Sequence, residues 1–406
     1  MMKKQFLFAV LLFAVSFANA QTENNFIPKG KFGKGIFSFK GKDNTWGIKM
    51  AARMQMLSTF NFENENGLGN MTSTALLRRS RLKFDGFAYT PKLKYKLELG
   101  LSNNDLSGGD ATTKNANRLI LDAVVMWNFA GNFELWYGQT KLPGNIERVI
   151  SSGNLQFVDR SRLNKEFTID REFGFQLRHH FNLTDKFVVR EKLAVSQGEA
   201  RNITVANKGG HHYTSRLELL PFGLFEGKGD YKGGDLKREK SPKLMLSVGQ
   251  SYVEDAVREK GNQGSYTIIN DDKASDDYGE IDDDLIATNA TDVSTFFVDA
   301  IFKYKGFSFM GEYAARNAKD EKNVRVGDGL NLTAGYLLKS NWEIAGRFTN
   351  VSLDGAAKVE DRNEYTFGVS RYIAGHKLKV QTDLSYIDII GKTNTVGFRF
   401  QVDIHL

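Results

Sequence analysis

The stretch TVGFRFQVDIHL, residues 395–406, puts Val396, Phe398, Phe400, Val402, Ile404 and Leu406 at every second position, with Gly397, Arg399, Gln401, Asp403 and His405 between them. Side chains on a strand alternate between its faces, so this is a strand with one apolar and one polar side. Strands in soluble sandwiches alternate too, but they usually run about 5–6 residues. A tilted strand that crosses a bilayer needs roughly 9–11. The pattern recurs at Leu93, Tyr95, Leu97, Leu99 and Leu101, opposed by Lys94, Lys96, Glu98 and Gly100, and again at Trp46, Ile48, Met50, Ala52 and Met54.

Short turn sequences join many such segments: Thr90-Pro91, Ala130-Gly131-Asn132, residues 182–186, Lys305-Gly306, Lys339-Ser340-Asn341 and Ala374-Gly375-His376. Between successive hairpins lie longer polar stretches at 61–73, 103–117 and 254–292. Short turns on one side and long loops on the other are the layout of an outer-membrane barrel. A seventh pair of segments is joined by a longer glycine-rich stretch at 221–242, and with a first strand at 46–57 and a last at 395–406 the count predicts 16 antiparallel strands. An even number of strands closes into a barrel without an unpaired edge, and a barrel of this size encloses water.

Composition agrees. Mean hydropathy is -0.39 despite 31 Phe and 14 Tyr, as expected where lipid-facing and water-facing residues alternate. Lys3 and Lys4, the apolar stretch from Phe6 to Phe17 and the small residues Ala18-Asn19-Ala20 read as a signal peptide at 1–20. The expected layout is then a periplasmic N-terminal segment at 21–45 and a barrel at 46–406, placed in the outer membrane of a Gram-negative type of cell. The chain has no cysteine, which excludes disulfides and cysteine metal sites.

The face opposite the apolar residues must point into the lumen. That rule assigns Lys49 and Arg53 on the first strand, Arg79, Arg81, Lys83 and Asp85 on the second, and Lys94, Lys96 and Glu98 on the third. On the last two strands it assigns Lys379, Gln381, Asp383 and Arg399. Closure makes these five strands neighbours, so they form one basic wall with few carboxylates. Rings of Lys and Arg select anions in a pore. The competing reading, that such charges pair with carboxylates across the lumen, leaves a general non-selective porin.

The loop at 141–170 carries Arg148, Arg160, Arg162 and Lys165, with Arg171 opening the next strand. A loop of that length either folds into the barrel as a constriction or stands outside in solvent. Planar guanidinium groups suit oxyanions best, which favours the Arg79, Arg81 and Arg148 to Arg162 groups over the lysines. The acidic run at 271–284 lacks the spacing of a calcium loop and reads as solvated. His179-His180 and His211-His212 sit next to each other on strands, so each pair points to opposite faces and chelates poorly. Protease, hydrolase-elbow and phosphate-loop motifs are all missing, so no catalytic residue, cofactor or nucleic-acid partner is expected. An outer-membrane hydrolase or a surface receptor stays as the distant alternative.

Several segments resemble the phosphate-selective porin O and P family: Arg78-Arg79-Ser80-Arg81-Leu82 with Asp85-Gly86, residues 137–143 (YGQTKLP) with Glu147-Arg148 and Ser151-Ser152, and residues 170–177 (DREFGFQL). Arg216 with Pro221-Phe222-Gly223, Gly229-Asp230-Tyr231 with Gly234-Asp235, and Lys305-Gly306-Phe307 with Gly311-Glu312-Tyr313 keep the same order. The resemblance implies 16 strands per subunit, a homotrimer in outer-membrane lipid, an infolded third outside loop, and passage of small anions such as phosphate.

Overall fold

The computed structural model describes residues 32–63, 71–107, 111–114, 116–257, 280–321, 324–354 and 360–406. The expected signal peptide and residues 271–279 of the acidic loop lie outside them. Among the described residues seventeen strands follow in order: β1 (Phe37–Lys40), β2 (Trp46–Glu63), β3 (Met71–Ala88), β4 (Thr90–Gly100), β5 (Ile120–Ala130), β6 (Phe133–Lys141), β7 (Arg171–Asn182), β8 (Val188–Ser196), β9 (His212–Leu220), β10 (Lys243–Ala256), β11 (Thr291–Tyr304), β12 (Phe307–Ala318), β13 (Val326–Leu337), β14 (Trp342–Asp354), β15 (Arg362–Tyr372), β16 (Leu378–Ile389) and β17 (Thr395–His405).

Strands β2 to β17 pair antiparallel with their chain neighbours, and β17 returns to β2 with Val402 opposite Met56 and Ile404 opposite Met54. The result is a closed antiparallel barrel of 16 strands, as the alternation predicts. Closure gives each barrel strand a hydrogen-bonded neighbour on both sides, which is what lets a β-structure sit in lipid. The expected first strand is longer than the sequence reading, reaching Glu63, because Ser58 interrupts the apolar face, which Phe60 and Phe62 then resume, without breaking the ladder. One element was not foreseen. β1, inside the stretch read as preceding the barrel, pairs with Gly47 to Met50 of β2, and four residues are too few to register as alternation.

The outward side carries aromatic belts. Near the short turns, Trp127, Phe129 and Phe133 lie exposed with ring centroids 5.7 and 6.0 Å apart. Toward the long loops, Tyr365 stands between Phe348 and Tyr386 at 5.2 and 6.5 Å. Such girdles mark the two membrane interfaces.

Two segments fill much of the lumen. From the long-loop side the chain between β6 and β7 folds inward, burying Ile146, Ile150, Leu155, Phe157, Val158, Leu163, Phe167 and Ile169. These residues are apolar enough to pack together inside the barrel, and short helices Ile146–Val149 and Arg162–Phe167 organise them. The infolded alternative for this loop is the one realised. From the short-turn side, residues 221–242 enter as a second plug. Lys303 Nζ donates to the carbonyls of Gly229 (2.8 Å) and Lys232 (2.7 Å), Arg190 pairs with Asp230 at 2.5 Å, and Lys192 reaches the Tyr231 hydroxyl at 2.7 Å. The two plugs touch where the Gly233 amide donates to the Asn154 carbonyl at 2.7 Å. A Cβ at Gly233 would come within 2.4 Å of the Gln156 nitrogen, so the contact requires glycine there.

Candidate functional site: an arginine-lined passage

The plugs rest mostly against β8 to β16, and the open space lies along the remaining wall. Leu155 and Gln156 are held by Lys379 Nζ (2.8 Å to the Leu155 carbonyl) and by Gln381 (2.7 Å to the Gln156 carbonyl). Arg347 donates to the Asp159 carbonyl at 2.9 Å, and Arg316 to that of Glu166 at 2.8 Å. A cavity of about 410 Å³ is left between the infolded loop and strands β3 to β8. A second, of about 300 Å³, continues toward the short turns beside β2, β3 and the C-terminus. Arg81, Lys96, Glu98 and Ser151 line both, so the two form one column.

The larger cavity is lined by eight arginines and three lysines against four carboxylates. The basic wall expected from the sequence, with few carboxylates, needs correction on one point: carboxylates pair with most of its cations. Arg53 binds Asp403 at 2.8 Å, Arg81 binds Asp105 at 2.8 Å and Glu98 at 3.1 Å, Lys96 binds Asp122 at 2.8 Å, Lys83 pairs with Asp85, and Arg399 binds Asp383 at 2.6 Å. These residues do face inward, as alternation requires, but their charge is largely cancelled locally. The partners include Asp105, which comes from the loop after β4, and alternation along strands cannot reveal it. Lys49 lines the smaller cavity, and Lys94 is exposed near the short-turn rim.

Of the infolded loop's cations, Arg148 and Arg160 line the large cavity, while Arg162 and Lys165 do not. Arg162 is tied to Glu166 at 2.5 Å on the helix Arg162–Phe167. Arg160 gives its guanidinium to the carbonyls of Glu147 and Ile150, both at 2.8 Å, and Lys141 Nζ caps the Arg148 carbonyl at 2.6 Å. Together they satisfy the carbonyl end of the helix Ile146–Val149, where cations belong. Arg148 Nε donates to Asp170 at 2.8 Å. Burial pushes the Asp170 and Asp159 carboxyls up, but Arg148 and Arg171 around the first, and Arg79 and Arg78 around the second, outweigh it and hold both well below the usual carboxylate range.

Uncancelled charge sits elsewhere in the cavity, on residues the sequence reading passed over. Arg178 stacks on Trp136 at 3.6 Å and donates to the Gln176 amide oxygen at 2.6 Å. Arg201, from the loop after β8, donates to the Asp105 carbonyl at 2.8 Å. Among the described residues neither makes a direct ion pair. Alternation on β7 would have placed Arg178 inward beside Gln176, so that signal was present, whereas nothing local marks Arg201. Arg78 was hidden for another reason: Gln55 pairs with Arg79 and Met56 with Leu77, leaving Arg78 as the extra residue of a bulge. A bulge turns two successive side chains the same way, and both arginines reach Asp159, Arg78 at 2.9 Å and Arg79 at 3.4 Å.

The histidine pairs form no chelate: His212 lies buried between Glu172 (3.2 Å) and Ser251 (2.6 Å), and His179 stacks on Phe133. Among the described residues no group of three potential ligands is placed to hold a metal ion.

Residues 48–218 match the family model of phosphate-selective porin O and P. Every residue lining the large cavity falls within that match. No curated protein matches in sequence. Among solved structures, the chain resembles the loop L8 deletion mutant of OmpT from Vibrio cholerae (TM-score 0.56, 12% identity, 89% of this chain and 100% of that one). It also resembles the anion-selective porin from Comamonas acidovorans (TM-score 0.53, 12% identity, 89% and 100%) and OmpF of Salmonella typhi in complex with daunomycin (TM-score 0.54, 11% identity, 90% and 100%). At these identities the likeness concerns the fold.

Proposed function

We propose that this chain, an outer-membrane porin by its closed 16-strand barrel and its family match, is a passive channel favouring small oxyanions such as phosphate, and not an enzyme. The observation that carries the reading is the excess of eleven basic side chains over four carboxylates around one cavity of about 410 Å³. In a confined, low-dielectric passage such an excess focuses anions and repels cations. Arginine adds geometry, since its planar fork matches two oxygens of an oxyanion at once. The match to the phosphate-selective porin O and P family and the anion selectivity of the Comamonas acidovorans porin point the same way. A homotrimer in outer-membrane lipid is the assembly we expect, and one of the fold relatives is described as a trimer form.

Lys49, Arg53 and Lys83 line the smaller cavity and Lys94 stands at the rim, whereas Lys379 and Arg399 line neither cavity and are spent on the Leu155 carbonyl and on Asp383; Arg78, Arg148, Arg171, Arg178 and Arg201 supply the field at the narrow zone. Chloride current through the full-length protein in planar bilayers, recorded while inorganic phosphate or sulfate is added, tests it. Suppression of the current at low oxyanion concentration is expected. An indifferent chloride current would leave only a general porin, and lipase or protease activity in a sealed barrel would end the channel reading.

A further inference from the structure

We infer that Asp159 is a tethered competitor beside the passage, a carboxylate of the infolded loop that occupies Arg78 and Arg79 from behind the cavity they line until an entering oxyanion displaces it. The inference rests on the oxyanion reading above. Its basis is a contrast among the ion pairs of the lumen. Arg53 with Asp403 and Arg216 with Asp299 are sealed, their side chains at most 9% exposed. In the pair formed by Arg78 and Asp159, the two side chains are 27% and 25% exposed. Arg78 and Arg79 both line the large cavity, so an ion in it meets the same two guanidinium groups that Asp159 holds.

The loop is fixed independently of that pair. Gln156 donates to Glu343 (2.9 Å) and Ser308 (3.0 Å), the Val158 amide donates to Asp383 (3.2 Å), Phe157 lies under Arg347 at 4.7 Å, and the Asp159 carbonyl accepts from Arg347. Asp159 can therefore release its side chain without releasing the loop. The consequence is a weaker hold on each passing anion. A channel needs binding strong enough to admit an ion and weak enough to let it leave. A carboxylate that reclaims the arginines after each passage supplies the second half.

The test is oxyanion suppression of chloride current in the full-length protein, with inorganic sulfate and inorganic phosphate as probes. In Asp159→Asn the half-suppressing concentration should fall about tenfold, the order expected when one charge-assisted competitor is removed. Asp159→Glu should behave as the parent. In an Arg78→Ala background the effect of Asp159→Asn should shrink, because the contested donor is gone. An unchanged half-suppressing concentration in Asp159→Asn would overturn the inference. So would a rise in conductance with loss of selectivity, which would make Asp159 a structural strut. Cation preference in the parent protein would instead overturn the oxyanion reading itself, so the two failures are distinct.

Discussion

Removing residues 224–239 and joining β9 to β10 by a short turn should roughly double the single-channel conductance, because a 16-strand barrel without its filling leaves a wide aqueous channel. Those residues close the half of the lumen next to β8 to β16, through Asp230 on Arg190, Tyr231 on Lys192, and Lys303 on the plug carbonyls of Gly229, Lys232 and Gly234. With the plug gone, ions can pass beyond the reach of the arginine cavity. Exposed charges are screened beyond about 8 Å at physiological salt, so selectivity should fall as conductance rises. Lys303→Ala, which removes one anchor and keeps the chain length, should give intermittent openings of the larger size. Unchanged conductance in both variants would mean that residues 221–242 stand clear of the ion path.

Arg178→Glu combined with Arg201→Glu should carry the largest change in selectivity, moving the preference from anions toward cations. Both side chains sit on the cavity with their charge uncancelled, so each substitution alters the local field by two charges without orphaning a partner carboxylate. The same change at Arg81 would instead set a third carboxylate beside Glu98 and Asp105, and misfolding would confuse the readout. Arg178→Lys with Arg201→Lys should keep anion preference while weakening oxyanion suppression, since a lysine presents a point charge in place of a planar fork. If the glutamate pair leaves selectivity unmoved, the cavity is not where selection occurs.

The barrel was legible in the sequence because alternation is a local property: Val396 to Leu406 reports its own orientation without help from distant residues. Strand count, closure and the inward side of Arg53, Arg79, Arg81 and Lys379 follow from it. What alternation cannot report is compensation. Asp105 and Asp159 reach the wall from loops, so a wall that reads as basic is in fact threaded with ion pairs. Arg78 was lost to a bulge, which shifts parity by one residue and leaves no trace in composition. Residues 221–242 read as an extended turn. Their apolar members, Phe225 buried at 4% exposure and Tyr231 packed against the same cluster, were the available hint that the segment packs inside.

The reversal potential of the full-length protein in a KCl gradient tests the central claim most directly, because it reads the sign of the field in the passage without assuming which anion is carried. An excess of guanidinium groups around a cavity of about 410 Å³ predicts a potential on the chloride side of zero, shrinking as salt is raised and screening grows. A potential on the potassium side would contradict it.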